Sequence, residues 1–170
     1  MPDRTVLVTG GAGGLGRSVV DTLIAAGWRV VVPVEKSGDL DARDGLTTVV
    51  ADLTDPDDVA RAIRAAVAEE SAPLRALVNL VGGFAAGQPV ADTPLSDFER
   101  MFALNLRPTY LMTQAALPRL VAAGGGAIVC VGSSAALNPF AGGAGYAASK
   151  AAVIAFARSV AEEGRPDGVR

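Results

Sequence analysis

The sequence contains no histidine, and Cys130 is its one cysteine. Without histidine, neither the Ser–His–Asp nor the Cys–His arrangement of nucleophilic catalysis can be assembled. With no His and one Cys, zinc lacks its usual ligands, so no metal site is expected. A lone thiol excludes a disulfide framework and fits a reducing, cytoplasmic setting. Aromatic residues make up only 5% of the chain, so Ala, Val and Leu must fill its core. The net charge is −3, with both signs interspersed and no basic stripe, which argues against a nucleic-acid partner. No apolar run reaches the roughly 18 residues that would span a bilayer, and no charged-then-apolar leader precedes Thr5, so no membrane partner is expected. Acid–base chemistry is left to Asp, Glu, Lys and Tyr.

Half of the 170 residues are hydrophobic, enough for one globular domain with its own core. Short apolar runs alternate with longer amphipathic ones. Strands are expected at Thr5–Thr9, Arg29–Val34, Thr47–Val50, Ala76–Val81 and Ala127–Val131. Helices are expected at Gly14–Ala26, Asp55–Glu70, Ser96–Ala123 and Ala144–Glu163. Ser96 and Glu99 suit a capping box, and Pro108 should break or kink the third helix. Strands this uniformly rich in Val, Leu and Ile are covered on both faces. The pattern therefore predicts an α/β fold of three layers, a doubly wound parallel sheet between helices. Residues 1–170 read as a single domain. Glu163–Arg170 reads as a helix stop followed by the first residues of a sixth strand.

Thr9-Gly10-Gly11-Ala12-Gly13-Gly14-Leu15-Gly16 lies between a strand and a helix. A helix N-terminus offers unpaired N–H groups and the positive end of its dipole, and glycines let a phosphate approach the backbone. Two patterns overlay: G-x-G-x-x-G from Gly11 to Gly16, and T-G-x-x-x-G-x-G using Gly10, Gly14 and Gly16. The second strand ends in Val34-Glu35-Lys36. An acid there binds a ribose 2′-hydroxyl, whereas a base suits a 2′-phosphate. Glu35 and Lys36 pull in opposite directions, and the acid tips the balance slightly towards NAD. Asp52, followed by Leu53, is placed either to accept from an adenine amino group or to cap the helix opening near Asp55.

Tyr146 and Lys150 stand at i and i+4 on one helix face. A nearby ammonium favours a phenolate and would lower the phenol pKa from its usual value of about 10. Ser133, with Ser134 beside it, ends the fifth strand on the edge that also carries the glycine loop. A hydroxyl there can bond a substrate carbonyl. Asn105 is polar within an apolar helical stretch, where a helix interruption would offer its carbonyl to a water.

Together these motifs resemble the short-chain dehydrogenase/reductase family in its compact type. Thr9-Gly10 through Gly16 resembles the family's cofactor loop and selects Gly10, Gly14 and Gly16, with Gly13 and Leu15 beside them. Asn79-Leu80-Val81-Gly82 resembles its Asn-Asn-Ala-Gly signature, with the middle two residues replaced. Asn105, Ser133, Tyr146 and Lys150 resemble its catalytic tetrad. The resemblance implies a Rossmann-like fold, NAD or NADP as cofactor, and hydride transfer to or from a small-molecule ketone or secondary alcohol. It implies that Tyr146 moves the proton, Ser133 positions the oxygen, and Lys150 binds the nicotinamide ribose. Asn105 would hold a relay water, Asp52 and Leu53 would contact adenine, and Asn79 and Gly82 would sit near the cofactor. It implies a homo-oligomer, dimer or tetramer, built on the Ser96–Ala123 and Ala144–Glu163 helices. Two departures stand out. Val34 occupies the place where NAD-preferring members carry Asp. The family also continues into further C-terminal strands and a substrate-binding loop, so the chain reads as C-terminally incomplete. The alternative is a dinucleotide-binding protein that does not turn over.

Overall fold

The structure, a computed structural model, describes residues 2–170. Five apolar runs form strands: β1 (Thr5–Thr9), β2 (Arg29–Val34), β3 (Leu46–Val50), β4 (Leu74–Asn79) and β5 (Ala127–Cys130). They pair in parallel in the order β3-β2-β1-β4-β5. The helices are α1 (Gly14–Ala25), α2 (Pro56–Ala66), α3 (Leu95–Asn105), α4 (Arg107–Ala122) and α5 (Ala144–Gly164). The alternation of strand and helix thus yields the doubly wound, Rossmann-like sheet that the pattern predicts.

The central strand explains the layering. Every residue of β1 is buried, and successive side chains point to opposite faces. Leu7 packs with Val59 and Ile63 of α2 and with Met112 and Leu120 of α4. Val6 and Val8 pack on the other face, against Val20 of α1. Each such side chain, fully removed from water, contributes about 1.5–3 kcal/mol before conformational entropy is set against it. The chain lays down β1, β2 and β3 in one direction, then returns to add β4 and β5 beyond β1. That reversal leaves a crevice beyond the carboxyl ends of β1 and β4.

Several boundaries differ from the pattern, each for a local reason. The second helix ends at Ala66 rather than Glu70. Arg29 donates to the Ala65 and Ala66 carbonyls (3.0 and 3.2 Å), and the Glu69 carboxylate accepts from the Ser71 amide and hydroxyl, drawing residues 69–71 into a turn. The fourth strand runs from Leu74 to Asn79, not Ala76 to Val81. Leu80 and Val81 leave the ladder because their amides donate to the Thr9 hydroxyl (3.1 and 3.3 Å). Ser96 is not an N-cap. Helix α3 starts one residue earlier, and the Pro94 carbonyl accepts from the Asp97 and Phe98 amides, so no capping box forms. The predicted break near Pro108 is present. Proline has no N–H to continue the ladder, and α3 and α4 separate at Leu106. At the other end of the chain, Val169 bridges Gly126 in parallel and the Arg170 carbonyl accepts from the Ile128 amide (2.8 Å), laying this segment beside β5.

Candidate active site

The glycine loop follows β1 at the reversal point. Gly10 has φ +67°, and a Cβ there would sit 3.0 Å from the Leu80 carbonyl carbon and the Val81 nitrogen. Both the left-handed backbone and the close approach of the β4 loop require glycine. A Cβ on Gly16 would fall 2.0 Å from the Gly10 carbonyl oxygen and 2.6 Å from the Gly11 Cα. Gly14 is different, because a Cβ there would meet nothing within 4 Å. It faces open space at the first turn of α1. That helix has Gly13 as N-cap, no side-chain cap and no acid in its first turn. Its N-terminal amides are therefore free for an anion. Leu15 is exposed on the same turn.

Beside this loop lies a crevice of about 750 Å³. Gly10 and Gly13 line one end, Glu35 and Asp39 the rim after β2, and Asp52 and Leu53 the wall after β3. Asp55, not Asp52, caps α2, accepting from the Asp57 amide at 2.7 Å. The Asp52 carboxylate instead accepts from the Thr54 amide and hydroxyl (2.8 and 2.7 Å), and those bonds hold it below the usual carboxylate range.

The second group of residues sits where β4, β5 and α5 meet. Lys150 is buried and its Nζ donates to the Val131 carbonyl at 3.1 Å. Burial pushes its ammonium below 10.5, opposed by neighbouring Cys130. The Tyr146 ring is half-buried and meets Phe84 edge-on, with centroids 4.9 Å apart. The Ser133 hydroxyl oxygen accepts from the Ala135 amide (3.2 Å) at the start of a short 3-10 turn that packs on α5. Asn105 is fully buried at the end of α3. Its Oδ1 accepts from the Gly83 amide (3.0 Å), while its Nδ2 donates to the Gly83 carbonyl and the Ser149 hydroxyl, both at 3.1 Å. Its main-chain carbonyl accepts from the Thr109 hydroxyl at 3.0 Å. A Cβ on Gly82 would lie 2.5 Å from Asn105 Oδ1 and 3.2 Å from Lys150 Nζ, so only glycine passes between them.

Residues 4–170 match the family model described as short chain dehydrogenase. The chain belongs to the short-chain dehydrogenase family. It is 33% identical to the 2-(R)-hydroxypropyl-CoM dehydrogenase of Xanthobacter autotrophicus, over 98% of this chain and 71% of that protein. It superposes on ElxO with NADP bound, with a TM-score of 0.89 and 25% identity over 99% of this chain and 71% of the other. A 3-ketoacyl-(acyl-carrier-protein) reductase from Brucella melitensis, complexed with NADH, gives a TM-score of 0.90 at 26% identity over 99% of this chain and 73% of that one. The chain spans about two thirds of the length of the first relatives it matches.

Two features of this short-chain dehydrogenase stand apart from the crevice or escaped the sequence pattern. The Asn79 side chain does not line the crevice. It is buried, and its Nδ2 donates to Thr113 Oγ1 (3.2 Å) and towards Cys130 Sγ (3.7 Å). Its place at the end of β4 still carries the strand into the Leu80–Gly83 loop. Thr9, read from the sequence only as part of the loop motif, ties the two loops together through its hydroxyl. No spacing rule announces a bond between residues 71 and 72 positions apart.

The buried lysine gives a stability test. Between its lowered folded value and 10.5 the unfolded chain binds the proton more readily than the folded one, so stability rises with pH across that window. Cys130, pushed above 9.0 by burial, works in the opposite sense. Denaturant midpoints of the protein and of Lys150→Met, measured from neutral pH to 10.5, isolate the lysine. The expected result is that the protein gains on the variant as pH rises; a constant gap would contradict it.

Proposed function

We propose that the protein is an NAD(P)-dependent oxidoreductase that transfers hydride between nicotinamide and a ketone or secondary alcohol. One observation carries this reading. An open helix N-terminus, a crevice and the Tyr146–Lys150 face all lie along the edge formed by the carboxyl ends of β1, β4 and β5. The residues fit a dinucleotide, because Gly14 leaves uncapped amides facing open space and Gly82 leaves a gap beside Lys150 that a Cβ would fill. When bound, the cofactor supplies the hydride acceptor or donor. The glycine loop would hold its pyrophosphate, and Lys150 would hold the ribose next to the nicotinamide.

The chain's own residues handle the proton. Tyr146 Oη gives a proton to the substrate oxygen in reduction and takes it back in oxidation. Ser133, whose oxygen accepts from Ala135, keeps its one hydroxyl hydrogen free to donate to that oxygen. The Lys150 ammonium supports negative charge on the phenolic oxygen as the proton leaves. The Asn105 carbonyl has a second lone pair beyond its bond to Thr109, which can hold a water on the way to Lys150. Phe84 and Phe140, both exposed, form an apolar wall beside Tyr146. We place association of copies, dimer or tetramer, on the face formed by Phe98, Phe102, Tyr110 and Phe156. The test is nicotinamide absorbance over a panel of ketones and alcohols, with Tyr146→Phe as control.

Charge around the crevice supports NAD over NADP. Glu35, Asp39, Asp52 and Asp58 all line it, and among the described lining residues none is Lys or Arg. Asp58 is neutralised by its ion pair with Arg61 (2.7 Å), and Arg17 donates to the Asp39 carbonyl, so a 2′-phosphate entering there is opposed chiefly by the Glu35, Asp39 and Asp52 carboxylates. Fluorescence titration should show NADH binding at least about tenfold tighter than NADPH, a gap of about 1.4 kcal/mol. Glu35→Gln should narrow that ratio. Equal affinities in the unaltered protein would remove the preference.

A further inference from the structure

We propose that Ser149 is a positioning residue, holding the Tyr146–Lys150 turn of α5 in register with the Gly82–Gly83 loop. The proposal rests on the catalytic reading of Tyr146 and Lys150 given above. Ser149 is fully buried in the stretch between them and does not line the crevice. Its hydroxyl donates to the Tyr146 carbonyl at 2.8 Å and accepts from Asn105 Nδ2 at 3.1 Å. Asn105 in turn closes a two-way pair with the backbone of Gly83. One unbroken chain of hydrogen bonds therefore runs from the loop after β4, through the end of α3, to the first turn of α5.

The consequences follow from satisfaction. Asn105 Nδ2 has two hydrogens, one for the Gly83 carbonyl and one for Ser149. Removing the Ser149 oxygen leaves one of them without its partner on a fully buried residue, where such a donor is costly to leave unpaired. The amide must then rotate or draw Gly83 with it. Gly82 has no slack for this, because it already sits against both Asn105 Oδ1 and Lys150 Nζ. Displacement at Asn105 therefore reaches the lysine side of the site and, through the Tyr146 carbonyl, the phenol as well. The glycine loop and the crevice after β2 and β3 take no part in this chain of bonds. Lys150 does stand at its end, so Ser149 should govern turnover more strongly than it governs cofactor affinity.

The test uses Ser149→Ala, with Ser149→Thr as the variant that keeps the oxygen; a helical threonine can make the same backward bond to a carbonyl. The chain has two tyrosines, Tyr110 and Tyr146, so 3-fluorotyrosine labelling gives two 19F signals, assigned with Tyr110→Phe. In cofactor-free Ser149→Ala the Tyr146 signal should move and the Tyr110 signal should stay. With cofactor and substrate, kcat should fall about tenfold, while NADH affinity falls by clearly less and Ser149→Thr recovers most of the loss. An unmoved Tyr146 signal with unaltered kcat overturns the proposal. So does a variant in which both signals, NADH affinity and melting temperature change together and Thr restores none of them. If the catalytic reading itself fails, Tyr146→Phe remains active, and the cofactor-free 19F result still reports on the hydrogen-bond chain separately.

Discussion

Tyr146→Phe should lower the rate of hydride transfer by about 10²–10⁴-fold, the range for loss of a positioned general acid–base group. NADH affinity and melting temperature should barely change. The reasoning is local. The substitution deletes one oxygen and keeps the ring, which packs edge-on against Phe84. The neighbouring supports do not pass through that oxygen: Lys150 is held by Val131, and the Tyr146 carbonyl bonds Ser149. With no histidine in the chain, no imidazole can take over the proton. Activity that survives the substitution would remove Tyr146 from the proton's path. A protein that binds NADH yet turns over no ketone or alcohol would instead be a dinucleotide-binding protein without chemistry.

What the sequence reveals about this site depends on how local each interaction is. Strands β1 and β2 match their predicted ends because covered parallel strands are continuous apolar runs. The glycine loop is legible as a phosphate cradle, but its glycines divide labour in a way that spacing does not show. Gly10 serves backbone conformation and Gly16 close packing, and Gly14 leaves open space. Gly11, which completes the overlapping G-x-G-x-x-G pattern, packs tightly on Val32 of β2. Asp52 was open to two readings because it and Asp55 both lie in the turn just before the helix that starts at Pro56. Hydrogen bonding divides them, Asp55 to the helix and Asp52 to Thr54. The links Thr9–Leu80, Asn105–Gly83 and Asn105–Ser149 were illegible for a simpler reason. Each joins residues brought together only by the sheet order and the break between α3 and α4.

The glycine division predicts that two alanine substitutions two residues apart will have opposite effects. Gly16→Ala puts a methyl 2.0 Å from the Gly10 oxygen, far inside any contact distance. That oxygen has little freedom to retreat, because it accepts from the Gly13 amide (3.0 Å) and Gly10 itself lies against Leu80 and Val81. Overpacking against backbone of this kind costs about 3 kcal/mol or more. In a domain of this size that lowers the melting temperature by about 6–12 °C. Gly14→Ala meets no atom of the protein, and alanine favours a helix over glycine by up to about 1 kcal/mol. Its melting temperature should hold or rise slightly. Its methyl, however, stands in the open space before the free amides of α1, where a pyrophosphate would lie. NADH affinity should therefore drop by about tenfold or more in a fully folded protein. Thermal melts and NADH fluorescence titration on the pair separate folding from binding. If Gly14→Ala binds NADH as the unaltered protein does, the pyrophosphate does not sit on this turn. If Gly16→Ala melts normally, the loop backbone has a freedom that its close contacts deny.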